Sequence, residues 1–327
     1  CQRRYVECGT DGTFTVDDVA AALDAGPRPR LLAVTAASNV TGWLPPINQI
    51  IAAAHQRDVP VLVDAAQLAA HRPLPAGADF VVWSGHKMYA PFGAGVLIGP
   101  RTAFTHGDPF LAGGGAVDLV DLDEVAWTDP PDREEAGSPN VIGAVALHAA
   151  IDELDRIGWD AITDHDTHLH QRMHAGLAAI PGVTVLGPGP TDHPLPLVTF
   201  TVTGVPHALV AARLSAEHAI GVRHGCFCAH PYLVRLLGLG PNEIARHWDA
   251  VQHGDRRAMP GAIRPSAGFS TSIDDVDRLV TAVADIASGR SAPVAYHQDP
   301  ATGDYHLDDS ARLPSADRAL GASCARG

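Results

Sequence analysis

Between residues 31 and 99 the chain alternates short apolar runs with one stretch of helical spacing. Leu31-Leu-Ala-Val-Thr35 reads as a buried strand. Ile47, Ile50, Ile51 and Ala54 recur at intervals of three and four after Pro45-Pro46, a pair that suits a helix start. Pro60-Val-Leu-Val-Asp64, Phe80-Val-Val-Trp83 and Gly95-Val-Leu-Ile98 are three further strands, the last two separated by a loop rich in Gly and Pro. This order predicts βαβ units and a mainly parallel α/β sheet. In such sheets ligands gather beyond the carboxyl ends of the strands. Ser38-Asn39, Asp64 and the run from Ser84 to Lys87 all follow strand ends, so three strand ends are expected to offer polar groups to one crevice.

Residues 105–139 carry Gly, Pro and Asp with little periodicity and read as a long loop. Asn140 to Ile157 is a helix with Val141, Val145, Ala149 and Leu154 among its apolar positions. The pattern divides the chain into a large α/β part over 1–157 and a smaller α+β part over 158–289. The second part contains a helix near 163–179, strands near 183–186 and 196–203, a helix at 206–219, a short strand at Gly221-Val-Arg223, and a strand and helix over 261–288. Residues 290–327 turn to Asp, Ser, Pro, Ala and Arg, which predicts an extended or disordered tail.

Composition narrows the function. The 327 residues include 23 basic and 37 acidic side chains, a formal net charge of −14, which excludes a general binder of nucleic-acid backbone. No run of about 18 apolar residues is present to span a bilayer. Five cysteines (Cys1, Cys8, Cys226, Cys228 and Cys324) are too few and scattered for a disulfide framework, and no secretory signal opens the chain, so a reducing cytoplasm is expected. The sequence begins at Cys1 and its first methionine is Met88, which raises the expectation of a longer parent protein. Lys87 is the only lysine among the 23 basic residues. An arginine-biased chain keeps lysine where a guanidinium cannot do the work.

Lys87 lies just past a strand in a Gly-flanked loop, where a partly desolvated amine can serve as a Schiff-base nucleophile; a plain surface lysine is the competing reading. Asp64, at an adjacent strand end, is the carboxylate that would hold a pyridoxal phosphate ring nitrogen protonated. Gln67 could hydrogen-bond the ring hydroxyl, and Ser84 and His86 could donate to the phosphate. Ser38-Asn-Val-Thr-Gly42, Val61-Leu-Val-Asp-Ala-Ala-Gln67 and Ser84-Gly-His-Lys-Met-Tyr-Ala-Pro-Phe-Gly93 together resemble the class V aminotransferase family, in its cysteine desulfurase and selenocysteine lyase branch. The resemblance runs from about residue 5 to residue 288 and implies the type I fold of pyridoxal phosphate (PLP) enzymes. It implies that Lys87 carries the cofactor as a Schiff base, with His86 beside it in the catalytic turn, that Asp64 pairs with the pyridinium, that Gln67 meets the ring hydroxyl, that Ser84 and His86 bind phosphate and that Asn39 lies by the substrate.

Gly221-Val-Arg-His-Gly-Cys-Phe-Cys-Ala-His-Pro231 is the second informative segment. Two cysteines two apart invite a zinc reading, but no second pair stands at ligand spacing. A buried structural thiol is the plain alternative. Arg223, His224 and His230 would make the surroundings electropositive and favour a reactive thiolate. Arg223, Cys228, Ala229 and Pro231 are similar to the desulfurase pattern, in which the cysteine takes the substrate sulfur as a persulfide and the Arg positions substrate or cofactor. Where close desulfurases carry a pair of histidines or similar residues, this chain has Cys226-Phe227, and the Gly-Cys-Phe-Cys run is also similar to molybdenum cofactor sulfurases. Cys226 could resolve or receive the persulfide; packing is the favoured reading. Gly261-Ala-Ile-Arg-Pro-Ser266 matches the family's C-terminal strand, where Arg264 would grip a substrate α-carboxylate with its planar fork.

Glu135-Ala-Gly-Ser-Pro-Asn140 resembles the family loop that reaches a partner's cofactor phosphate, with Ser138 as donor, which implies a homodimer. A sulfur-acceptor protein is a further expected partner. His165, His168, His170 and His174 share a helix but do not fall on one face, so they are expected to be solvated rather than metal ligands. The family also places, ahead of the segment matched here, a phosphate-binding turn and a residue stacked on the cofactor ring; neither is visible in this sequence. The expected activity is desulfuration of L-cysteine to L-alanine with a Cys228 persulfide. The competing outcomes are a selenocysteine lyase, epimerase or aminotransferase, or a non-catalytic remnant.

Overall fold

The computed structural model describes residues 2–91, 93–189 and 191–308. Cys1, Cys324 and the part of the expected tail after residue 308 lie outside them. The chain divides into two compact units, one of residues 1–8, 13–167 and 191–195, the other of 9–12, 168–190 and 196–327.

The first unit is built on a four-stranded sheet in the order β1 (Leu32–Thr35), β2 (Val61–Asp64), β3 (Phe80–Ser84) and β4 (Gly95–Ile98). β1, β2 and β3 are parallel and β4 returns antiparallel to β3. The return is a tight one. Gly85 N–H donates to Ala94 O at 2.8 Å, and a Cβ at Gly85 would meet the Ala94 side chain at 3.0 Å. Helix α1 (Val16–Asp24) starts with a capping box between Thr15 and Asp18. It packs with α2 (Ile47–His55), which buries Ile50, Ile51, Ala53 and Ala54.

Residues 105–139, expected as a loop, contain a short hairpin of β5 (Val117–Val120) and β6 (Val125–Trp127). Its Leu119 and Leu122 are exposed, so no buried face writes an alternating pattern into the sequence. The buried Arg133 guanidinium organises this region by donating to the carbonyls of Thr105 and Gly107. Helix α3 (Val141–Ile157) follows, capped by the Asn140 side chain, which accepts from Gly143 N–H at 3.0 Å.

A buried ion cluster ties the segment after β2 to two distant stretches of the same unit. Asp166, in α4 (Trp159–Ala178), is fully buried. Its Oδ2 accepts from Arg72 Nη1 at 2.7 Å and meets His71 Nδ1 at 3.0 Å. Arg72 Nη2 donates to the carbonyls of His193 and Pro194 at 3.1 and 3.3 Å.

The second unit has an antiparallel sheet in the order β7 (Val183–Leu186), β8 (Thr199–Val202), β10 (Ala262–Arg264), β9 (Arg223–Gly225). Its core joins Leu169, Met173 and Leu177 of α4 to Phe200 and Ile263 of the sheet, to Val210 and Leu214 of α5 (His207–His218), and to Val276, Leu279, Val283 and Ile286 of α8 (Ile273–Ala287). The apolar spacing of α8 is that of a one-sided helix, and its capping box joins Ser272 to Asp275. Two shorter helices, α6 (His230–Leu236) and α7 (Pro241–Gln252), link β9 to β10.

Residues 290–308, expected to be extended or disordered, carry a hairpin of β11 (Tyr296–Gln298) and β12 (Tyr305–Leu307). It is anchored by side chains rather than by an apolar stripe. Arg213 and Glu217 form a buried ion pair on α5 at 2.8 Å; Tyr296 donates its hydroxyl to Glu217 Oε1 at 3.1 Å, and Arg213 donates to Arg290 O. Burial, with the Glu217 carboxylate, pushes the Tyr296 phenol up to about 12.

Asp166→Ala leaves the buried Arg72 cation and His71 without their shared carboxylate. The variant should lose about 3–5 kcal/mol of unfolding free energy, read from urea denaturation; a loss under about 1 kcal/mol would show that the cluster is not a structural anchor.

Candidate active site

In the first unit, parallel pairing sets the strand ends side by side. Thr35 is the Cα partner of Asp64, and Asp64 that of Val82. After β1 the chain makes a turn in which the buried Ser38 Oγ accepts from Val40 and Thr41 N–H at 3.2 and 3.1 Å, and Ser38 N–H donates to Trp43 O. Asn39 sits half-buried in this turn. At the end of β2, Asp64 is exposed and its Oδ1 accepts from Ala66 N–H at 2.9 Å. Gln67, half-buried, lies one turn further, in the segment that Arg72 and His71 fasten to Asp166. Beyond β3 the chain passes through half-buried Ser84 into a single 3-10 turn, Gly85–Lys87, closed by Met88 N–H on Gly85 O at 2.8 Å. His86 and Lys87 both stand exposed on that turn. Ser138 is exposed in the segment before α3.

The donor set at these strand ends fits PLP. It offers one primary amine, an exposed carboxylate already oriented by a backbone N–H, an amide, a hydroxyl and an imidazole. These are the groups that a pyridinium, a ring hydroxyl and a phosphate require.

In the second unit, Arg223 and Arg264 are Cα partners across β9 and β10. The turn after β9 has Cys226 O accepting from Ala229 N–H at 2.9 Å, with φ of 54° at Phe227 and 59° at Cys228. These are the positive φ values of a type I′ turn, which ordinarily takes Asn or Gly. Two successive left-handed residues with side chains cost roughly 1–2 kcal/mol each. The turn buries Phe227 beneath the Arg264 guanidinium, 5.0 Å from ring centroid to Cζ, and leaves Cys228 exposed. Burial, reinforced by the neighbouring Arg223 cation, pushes Arg264 down to about 10. Cys226 is held differently: its thiol donates to Pro260 O at 3.1 Å, and burial pushes its pKa up.

The structure alters one electrostatic expectation. His224 was expected to add positive charge near Cys228, but burial pushes its pKa down, as it does that of His207. The two rings meet with Nδ1 atoms 3.3 Å apart, while His207 Nε2 lies 3.0 Å from Met259 O. A carbonyl only accepts, so His207 carries its proton on Nε2, and His224 must donate from Nδ1. His224 Nε2 then faces Asp304 Oδ1 at 3.5 Å. His207 and Asp304 carried no signal in the sequence, because their partners come from segments far along the chain. Among the described residues no group of three or more His, Cys, Asp or Glu is placed to hold a metal ion; His170, expected to be solvated, is buried and stacks with His174 at 5.8 Å.

The model of class V aminotransferases matches residues 3–279. The chain belongs to the class V aminotransferase family. Among its relatives, a probable cysteine desulfurase of Vibrio cholerae serotype O1 is 35% identical over 260 residues, covering 79% of this chain and 58% of the relative. A cysteine desulfurase of Enterobacter sp. strain 638 is 34% identical over 284 residues, covering 86% and 63%. Among solved structures, the apo cysteine desulfurase from Thermococcus onnurineus NA1 aligns with a TM-score of 0.75 at 29% identity, covering 87% of this chain and 66% of that one. The cysteine desulfurase CsdA of Escherichia coli aligns at 0.72 and 31%, covering 88% and 65%. This class V chain therefore spans less than two thirds of the length of these curated relatives. Members of the family use PLP, so the type I fold expected from the motifs and the donor set at the strand ends agree with the family assignment. No helix among the described residues is long and apolar enough to cross a membrane.

Because the folded His207 and His224 release their protons more readily than the unfolded imidazoles, the unfolded chain holds more protons just below its own pKa. Stability is then full above about pH 6.5 and falls as pH drops through the folded values. The urea midpoint should fall between about pH 7.5 and about pH 5.5, and fall less in His207→Gln. Equal falls in both proteins would contradict this reading of the pair.

Proposed function

We propose that this class V chain carries a cysteine desulfurase activity, converting L-cysteine to L-alanine and leaving the sulfur on Cys228 as a persulfide. The observation that carries the reading is the strained Phe227-Cys228 turn, which exposes a thiol next to two arginines paired across β9 and β10. Strain of this kind persists where function requires it.

Lys87 would hold PLP through its amine. When bound, the cofactor supplies an electron sink for the α-carbon of the amino acid. Asp64 would keep a proton on the ring nitrogen through its carboxylate, and Gln67 would donate its amide to the ring hydroxyl. Ser84 and His86 would donate to the phosphate, and Ser138 would add a donor to the phosphate of a second copy. That reading of Ser138 implies a homodimer, and the exposed Val141, Ile142 and Val145 of α3 offer apolar surface for it. Arg264 grips the α-carboxylate with its planar fork, held flat by the Phe227 ring. Arg223 and Asn39 position the amino acid. Lys87 Nζ takes the α-proton and returns a proton to carbon.

Cys228 attacks the substrate sulfur as the thiolate. A bond forms between Cys228 Sγ and that sulfur, the carbon–sulfur bond breaks with its electron pair left on carbon, and protonation there yields alanine. The sum is L-cysteine plus a thiol giving L-alanine plus a persulfide, which balances without an added oxidant. Cys226, held as a protonated thiol on Pro260 O, plays no nucleophilic part in this step.

Cys228→Ala should abolish the protein-bound persulfide, read by intact-mass spectrometry, and lower sulfide release from L-cysteine at least about a hundredfold, equivalent to about 2.7 kcal/mol of barrier. Sulfide release surviving the substitution would contradict the persulfide route.

A further inference from the structure

Cys228 lies on the wall of an open cavity of about 630 Å³ in the second unit, a volume in the range of small-molecule sites. The cavity is bounded by the β9 turn, by residues 256–260 and by the β11–β12 hairpin. The hairpin's contribution, which includes Gln298, Gly303 and Asp304, comes from beyond the stretch that matches the family model.

Its charge runs against that of the molecule. In a chain of net charge −14, three guanidiniums (Arg223, Arg256 and Arg257) line the cavity against one carboxylate, that of Asp304. Arg257 is already engaged by Asp255, with Nη2 to Oδ2 at 2.7 Å. Arg256 is different: among the described residues no carboxylate pairs with it, yet its position is built. Its N–H donates to Pro300 O at 2.8 Å and its Nη1 to Ala301 O at 2.9 Å. Gly303, at φ 82°, sits so close that a Cβ there would lie 2.5 Å from Arg256 O. The hairpin turn thus fastens a cation that forms no ion pair with a described carboxylate, and a fixed cation of this kind is a prepared anion contact.

We propose that this cavity receives a low-molecular-mass thiol bearing carboxylate groups, as the acceptor of the sulfur held on Cys228. The inference rests on the persulfide reading above. The acceptor enters as a thiolate, its proton left to solvent. Its sulfur attacks the outer sulfur of the persulfide, and the bond between that outer sulfur and Cys228 Sγ breaks with the electron pair on Sγ. The products are the acceptor's persulfide and the Cys228 thiolate, with no net oxidation. Arg256 holds a carboxylate of the acceptor, and Arg223 adds to the positive field.

The test uses the 327-residue chain and S-methylglutathione, which carries the carboxylates but no reactive thiol, with calorimetry as the readout. The wild-type chain should bind it. Arg256→Ala should weaken binding about tenfold, and the dimethyl ester of the probe, which lacks both carboxylate charges, should bind comparably poorly. Asp304→Asn should tighten binding, a gain that loss of folding cannot mimic. Intact-mass measurement of the Cys228 persulfide after L-cysteine treatment separates the two layers of the account. A persulfide with no probe binding, or with binding unchanged by Arg256→Ala and Asp304→Asn, overturns this inference alone and leaves a protein thiol as the acceptor. Probe binding with no persulfide overturns the acceptor role together with the desulfurase reading.

Discussion

Parallel pairing of β1, β2 and β3 is the constraint on which the first unit depends. Parallel strands all finish at one edge, so whatever residue ends each strand is delivered to the same side of the sheet. The register places Asp64 opposite Thr35 and Val82, and the chain then leaves β3 through Ser84 into the turn that carries His86 and Lys87. Gly85 suits so short a turn because it accepts the close approach of Ala94, which a Cβ would meet at 3.0 Å. The next segment along from Asp64 is held from below by Asp166, whose buried carboxylate joins His71 and Arg72. A charge buried for such a purpose is costly on its own, but here it fixes the loop bearing Gln67.

The second unit solves a different problem, that of presenting a thiol without burying it. The sheet and the α5–α8 layer supply a conventional apolar core. On that base the β9 turn forces Phe227 and Cys228 into left-handed conformations, and the Arg264–Phe227 stack supplies part of what offsets that strain. One residue in the turn faces inward and the next faces outward. Cys226, two positions earlier, is half-buried and tied to Pro260 O, so two cysteines of one short segment differ in exposure by position alone.

The apolar runs of β2 and β3 and the one-sided spacing of α8 were readable because burial imposes a period on sequence, whereas β1, expected to be buried, leaves each of its four residues half-buried or exposed. The three motifs around Asn39, Asp64 and Lys87 were legible in another way, through their resemblance to the class V family. Other elements left no such trace. Helix α7 buries none of its residues and exposes Trp248, so its polar sequence looks like loop. The β11–β12 hairpin is held by Tyr296, Gln298 and Arg256, through hydrogen bonds to partners as distant as Glu217. Long-range polar pairing of that kind has no period to read, and His207 and Asp304 were hidden for the same reason. The expected positive charge at His224 was misjudged because burial, invisible from neighbours in sequence, outweighs proximity to Arg223.

The central claim is that the single lysine of the chain is the amine that holds the cofactor. The direct measurement is to incubate the 327-residue chain with PLP, reduce with borohydride, digest, and locate the phosphopyridoxyl group by peptide mass spectrometry. The account predicts the label on Lys87 and none on the Lys87→Arg protein. A folded wild-type chain that takes up no label at Lys87, or carries it only on its N-terminal amine, would contradict it.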